Sequence, residues 1–314
     1  MIIEWSQLGE RLASECAQCT REAVLVAPFM KAATLKRIVK DLNPLVPLHC
    51  LTRWRMEEIA VGVSDLECWD IISERKNSRF MLLPNLHTKY YRFDGIAFLG
   101  SANITMAALG WSTSSNTEAL ARFCIDDVDT CKKFERDLLT LAVDVTPELV
   151  SDFKEMMENF SAADTMRWGG GGQEQEIVQA DEGHGSRLAF WLPRSRSPEF
   201  LYDAYSGQVD AISRDGLLAL RKDLLDFDLP PGLEKTVFLN LVQSRLVSSP
   251  IIIKLDQFLT VKRRFGEIRT WLAAQLEVRD AKDEWQRLMR WLLEFLSHRY
   301  TTNTPNYSEI FGRK

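Results

Sequence analysis

Residues 87–103 read His-Thr-Lys-Tyr-Tyr-Arg-Phe-Asp-Gly-Ile-Ala-Phe-Leu-Gly-Ser-Ala-Asn. Four of these side chains suit a phosphate. The imidazole of His87 can be nucleophile or acid, the ammonium of Lys89 can clamp charge, and the hydroxyl of Ser101 and the amide of Asn103 are neutral donors. Together they make half of a site that could break a phosphodiester bond without a metal ion.

Those groups act together only if the backbone gathers them. Residues 86–93 and 96–99 are rich in aromatic and apolar types, with Asp94-Gly95 between them. A two-residue Asp-Gly loop between strand-like runs predicts a hairpin, because Gly tolerates positive φ in a tight turn. Side chains alternate along a strand, so His87 and Lys89 project from one side. Ser101 and Asn103 repeat the two-residue step on the returning chain, and the hairpin folds all four toward one edge. Asp94 falls in the turn, which gives it a structural or supporting role.

With these residues in view, the chain resembles the phospholipase D superfamily. His87, Lys89 and Asp94 match its HxKxxxxD signature, and Gly100, Ser101 and Asn103 match the GSxN that follows. Asn116-Thr117-Glu118 stands at the head of the strand-like run 118–124, where members of the family carry a buried acidic residue beside the histidine. Val24-Leu25-Val26-Ala27-Pro28-Phe29 is similar to the family's first core strand and its Pro-aromatic exit. The resemblance spans about residues 10–145 and implies an α/β/α sandwich with a mixed sheet.

Four histidines occur, His49, His87, His184 and His298, and only His87 is followed two residues later by Lys. The chain therefore carries one half-site. Single-motif members of the family resemble small bacterial nucleases and one group of restriction endonucleases, which build one active site across a dimer. The resemblance thus implies a homodimer with paired His87 side chains near its two-fold axis. It also implies a mechanism. One His87 attacks phosphorus, its counterpart protonates the leaving oxygen and then activates water, and Lys89, Ser101 and Asn103 hold the non-bridging oxygens. Glu118 would orient the imidazole. No cofactor or metal is required by this scheme.

The 314 residues allow two domains, and 46 % hydrophobic with 26 % charged residues is the balance of a soluble globular protein. No run of 18 apolar residues offers a membrane span. Met-Ile-Ile-Glu-Trp lacks the features of an export signal, so the expected location is the cytoplasm. Cys16 and Cys19 form a CxxC near which His49-Cys50 could be imagined as partners in a zinc site. The segment around Cys16 reads as helix and no second CxxC follows, which favours buried reduced thiols.

Texture divides the chain. Helices are expected at 8–22, 30–42, 128–140 and 147–160, and strands at 23–29, 45–52, 79–83, the hairpin and 118–124. This alternation implies a mixed sheet covered on both faces, a catalytic domain over 1–161. Four consecutive glycines, 169–172, and the Gln-Glu run after them mark 162–185 as a linker. Residues 186–314 show helical apolar spacing at 233–247, 252–265 and 267–299, hence a mostly α-helical C-terminal domain. Net charge is −6 over 1–165, −3 over 166–185 and +4 over 186–314, so any electrostatic attraction for a polyanion belongs to the second half. Lys262-Arg263-Arg264 reads either as an anion contact or as a solvated helix face. The aromatic-basic stretch 187–206 reads as a nucleic-acid surface or, preferably, a packing arm. Pro305, Tyr307 and Phe311 suggest that the tail docks on a neighbour.

The sequence thus favours a dimeric nuclease for DNA or RNA, in a bacterial restriction or defence setting by resemblance. The helical domain would choose the target or a protein partner. The alternatives are a phospholipid phosphodiesterase and a non-catalytic assembly subunit. One motif per chain, with no amphipathic anchor, disfavours the lipid reading.

Overall fold

The computed structural model describes residues 2–125, 129–158, 160, 191–304 and 309–314. The chain forms two compact units, and their boundary and the expected 162–185 linker lie outside the described residues.

The first unit is built on an eight-stranded mixed sheet. Its strands are β1 (Ile2–Ile3), β2 (Ala23–Val26), β3 (Leu48–Thr52), β4 (Arg79–Leu82), β5 (Lys89–Phe93), β6 (Ile96–Gly100), β7 (Leu120–Cys124) and β8 (Val143–Asp144), in the order β1-β7-β6-β5-β2-β3-β4-β8. β2, β3 and β4 run parallel and the rest join antiparallel. β2 lies in the middle and all four of its residues are buried, as a strand covered on both faces must be.

Helices cover both faces. Phe134, Leu138, Leu139 and Ala142 of the segment after β7 pack on Val24, Val26, Leu51, Met81, Tyr90 and Ala97. On the other face the helices Leu8–Ala17, Ala32–Ile38 and Cys68–Ser73 bury Leu8, Leu12, Cys16, Leu35, Ile38, Cys68 and Ile72. Trp54 ties the edge, with its ring 5.2 Å from Phe153 on the helix Pro147–Glu158 and 5.7 Å from Phe80 on β4. The α/β/α sandwich expected from the alternating pattern is what forms.

Most elements are shorter than their apolar runs. The helix expected over 8–22 ends at Ala17, and Gln18–Arg21 turn the chain into β2. The Cys16–Cys19 pair straddles that end. Burial pushes the Cys16 thiol up to about 12 and Cys19 up to about 11, and Cys19 donates to Glu22 O and Asp94 Oδ1, both at 3.2 Å. His49 and Cys50 are successive residues of β3 and so face opposite sides of the sheet. His49 meets Glu22 at 3.2 Å. The imagined zinc set is therefore not brought together.

The second unit is mostly helical, as its spacing predicts, with two differences. The expected helix 267–299 is two helices, Phe265–Leu276 and Lys282–Phe295. Glu277 adopts φ 54° and closes the first, while Asp280 accepts from Lys282 N at 3.0 Å and from Arg269 Nε at 2.6 Å to start the second. The expected helix 252–265 runs instead from Pro250 to Phe258. Arg263–Arg264 then form β9, which pairs with β11 (Ile310–Arg313), itself paired with β10 (Tyr300–Asn303). The basic triplet is thus no helix face. Phe311 is buried in its own unit, 5.0 Å from the Trp285 ring, and Pro305 and Tyr307 lie outside the described residues.

The described part of the 187–206 stretch packs within this unit. Arg194 N and Ser195 N donate to the buried Asp223 carboxylate at 2.9 and 2.8 Å. Trp291 Nε1 reaches Ser195 O at 3.0 Å, and Arg287 Nε reaches Pro193 O at 2.8 Å.

Candidate active site

Strand direction decides where the polar residues meet. β2, β3 and β4 finish at one end of the sheet, and there β5 begins, β6 ends and β7 begins. Val26 pairs with Tyr90, Lys89 with Gly100, and Gly100 with Leu120. The carboxyl ends of parallel strands are where open α/β sheets place their ligands. His87, two residues before the Lys89–Gly100 pair, and Ser101, one residue after it, leave the ladder at this same end.

His87 is exposed and lies outside the ladder, whose register starts at Lys89 rather than at residue 86. The chain reaches it through a turn closed by Leu86 N on Leu83 O at 3.0 Å, where Pro84 has no N–H to offer a strand partner. Lys89, the first residue of β5, is buried at 5 % exposure, whereas His87 two residues before it is exposed.

Asn103, buried, is fixed by Phe29 N, which donates to its Oδ1 at 3.4 Å; this leaves the amide nitrogen as the donor end. Ile104 N donates to Phe29 O at 3.1 Å and Lys31 N to Ile104 O at 3.0 Å. The Pro28-Phe29 exit of β2 is therefore stitched to the GSxN segment. From below, the Tyr91 hydroxyl donates to Ala102 O at 2.5 Å. Burial, with the Glu118 carboxylate adding to it, pushes this phenol far up and keeps it a donor.

Gly100 is required here by close approach, since a Cβ would lie 1.9 Å from Ala119 O. Ser101 then grips the same neighbour: its N donates to Ala119 O at 3.0 Å and its Oγ accepts from Ala119 N at 3.1 Å. The Ser101 hydroxyl hydrogen is directed at Glu118 Oε2, and Asn116 Nδ2 donates to Glu118 Oε1 at 3.2 Å. Glu118 thus sets the Ser101 hydroxyl directly.

Asp94 is at the far end of the hairpin, in the left-handed region with φ 51°, a conformation Asp tolerates better than most residues. Its carboxylate accepts from Thr20 N at 2.9 Å, Arg21 N at 2.8 Å, Glu22 N at 3.1 Å and Thr20 Oγ1 at 3.0 Å. Burial opposes ionisation, but the three backbone donors outweigh it and hold the carboxyl well below its ordinary range. The Asp of the motif anchors the turn into β2, and the other four residues lie along the chain at the opposite end of the hairpin. His49 also belongs to the Asp94 end, so the described residues of the first unit bring one imidazole to the site.

Two residues near the site carried no assignable role in the sequence. Arg53 follows β3, is largely buried, and donates to Leu86 O at 3.0 Å and to Glu58 at 2.6 Å. Tyr91 was hidden among strand aromatics. Neither position has a spacing that marks it; only the register reveals them.

Neither a family model nor a curated protein sequence matches the chain. Among solved structures it is similar to NucT from Helicobacter pylori, at 17 % identity over 43 % of this chain and 89 % of that one, with a TM-score of 0.35. The same identity, shares and TM-score describe its similarity to Nuc from Salmonella typhimurium, a phospholipase D family member. Phosphatidylserine synthase from Haemophilus influenzae is similar at 15 % identity over 50 % of this chain and 43 % of that one, with a TM-score of 0.39.

Proposed function

We propose that this protein is a metal-independent phosphodiesterase, a homodimeric nuclease that cleaves DNA or RNA through a phosphohistidine. The observation that supports the reading is the Lys89–Gly100 register, which delivers His87, Lys89, Ser101 and Asn103 to one end of the sheet. An exposed imidazole, a buried ammonium and a held amide at one end of the sheet would supply a nucleophile and a charge clamp from side chains alone.

A nitrogen of one His87 imidazole attacks phosphorus as the bond to the leaving oxygen breaks. The His87 of the second copy gives its proton to that oxygen. It then takes a proton from water, whose oxygen displaces the first imidazole and restores both rings. Lys89 and the Asn103 amide meet the charge that builds on the non-bridging oxygens, where fixed donors act most strongly. Each chain supplies one imidazole, so two copies complete the site. The helical unit would select the target or a protein partner.

The test is cleavage of supercoiled plasmid and of RNA in EDTA, with the species sized by analytical ultracentrifugation. Cleavage by a dimer, abolished by His87→Ala, is the expected result. Cleavage that survives His87→Ala, or an active monomer, overturns the reading.

A further inference from the structure

The Arg53–Glu58 pair belongs to neither the motif nor the core of the sheet, yet it reaches both arms of the half-site. Arg53 leaves the end of β3, and Glu58 lies on the short helix Met56–Ala60. Nε of Arg53 meets both Glu58 oxygens at 3.1 and 3.2 Å, and Nη2 meets Oε1 at 2.6 Å. Their side chains are 13 % and 12 % exposed, so the pair is withdrawn from solvent. The remaining donor, Nη1, reaches Leu86 O at 3.0 Å, the carbonyl immediately before His87. The guanidinium carbon also stands 5.1 Å from the Phe29 ring centroid, and Phe29 N is the group that holds Asn103 Oδ1.

A guanidinium is a rigid fork, and with Glu58 closing one side its third direction is fixed. The β5–β6 register starts at Lys89, so the Leu86–His87 peptide lies just outside it, and Arg53 holds that peptide at its carbonyl. Two simpler roles are disfavoured by the same contacts. A phosphate contact would need an open guanidinium, and this one is committed to Glu58 and Leu86. A purely stabilising role is weak for a buried ion pair, which an apolar pair of similar volume often replaces without loss.

We propose that Arg53 is a positioning residue: held by Glu58, it fixes the Leu86–His87 peptide against the Phe29–Asn103 arm and so sets the imidazole relative to the phosphate clamp. The proposal rests on the nuclease reading for its consequence in catalysis, though not for its geometry. A misplacement of about 1 Å at a reacting group can cost about 100-fold in rate.

The experiment uses the full chain with Arg53→Lys and the volume-conserving double replacement Arg53→Met with Glu58→Leu. Thermal melts of both variants serve as the folding control. The side chains are observed by NMR with ring-labelled histidine, the His87 signal being assigned from its loss in His87→Ala. Both variants are expected to shift the His87 signal and to leave the His49 signal in place. The double replacement should do so with a wild-type melting temperature. In the cleavage assay kcat should fall about 10- to 100-fold while KM and its salt dependence stay unchanged. An unmoved His87 signal in the folded variants overturns the proposal. So does a raised KM with a weaker salt dependence, which would make Arg53 a substrate contact. A His87 signal that shifts in the variants while the wild-type protein cleaves nothing sinks the nuclease reading and leaves the positioning role standing.

Discussion

The two ends of the β5–β6 hairpin differ in what their polar groups face. At the Asp94 end a carboxylate takes three backbone N–H groups and a hydroxyl from the turn Thr20–Glu22. Behind it Arg92 is buried between Glu22 and Glu135, and Tyr90 donates to Glu135 at 2.8 Å. At the other end the His87 ring is exposed, and what is fixed there is mainly backbone: Leu86 O by Arg53, Ala102 O by Tyr91, Phe29 by Asn103 and Ile104. One motif therefore serves two ends. Its Asp closes a structural network, while at the other end its His is exposed and its Lys buried.

The largest test of this division replaces one residue at each end. His87→Ala should reduce cleavage by at least about 1,000-fold, the scale for losing a nucleophile. It should shift stability by less than about 0.5 kcal/mol, because the side chain is exposed. Asp94→Asn should do the reverse. It keeps the turn conformation but replaces a charged acceptor of several donors, for about 1–3 kcal/mol. The folded fraction should cleave at nearly the wild-type rate. Urea melts and initial rates on the same samples check both, and the division fails if Asp94→Asn abolishes cleavage in a fully folded protein.

Gly100→Ala, at the His87 end, should cost about 2–4 kcal/mol, since backbone must move to admit the methyl group. The displaced atom is Ala119 O, so the shift reaches Ser101 and Glu118. Stability and cleavage should fall together, unlike either end variant. A stable and fully active Gly100→Ala protein would mean that β7 does not set the Ser101 hydroxyl.

How much of this was legible in the sequence depends on the range of each interaction. The hairpin and its Asp-Gly turn follow from apolar runs and one local turn, whereas alternation does not place His87, Ser101 and Asn103, which lie outside β5 and β6. The succession of core strands along the chain follows from alternating apolar runs and from the likeness of 24–29 to a first strand; their order across the sheet does not, because pairing joins distant segments. Arg53 and Tyr91 were not assignable because their partners are carbonyls more than ten residues away, which no side-chain pattern marks. The second unit misled for a related reason. Residues 258–265 keep a helical apolar spacing, yet Arg263–Arg264 are drawn into a strand by Phe311 and Ile310, nearly fifty residues on. A local period cannot announce a distant backbone partner.

The smallest effect is in pH dependence, and it separates the structural end of the hairpin from the second unit. Glu22 is held down to about 2, first by its bond from His49 and then, against burial, by Arg92; Asp94 is also held below its ordinary range. For a carboxyl depressed in the fold, the stabilisation is complete above its unfolded pKa, near 4, and disappears as pH falls toward the folded value. Asp223 has the opposite sign. Burial raises it to about 6 against the two backbone donors of Arg194 and Ser195, so its contribution declines as pH rises from about 4 to about 6. A single melt would mix the two units, whereas amide hydrogen exchange resolves them. Protection of β2 and β5 amides should hold from pH 7 to pH 5 and weaken below it, once corrected for intrinsic exchange. Protection in the helix Arg214–Phe227 should increase over the descent from pH 6 to pH 4. Asp94→Asn should flatten the acid limb at β2 and β5 alone, so that its deficit against wild type shrinks toward pH 3. A deficit that stays constant from pH 6 to pH 3 would mean that the Asp94 charge does not carry the anchoring, and that the turn is held by its shape.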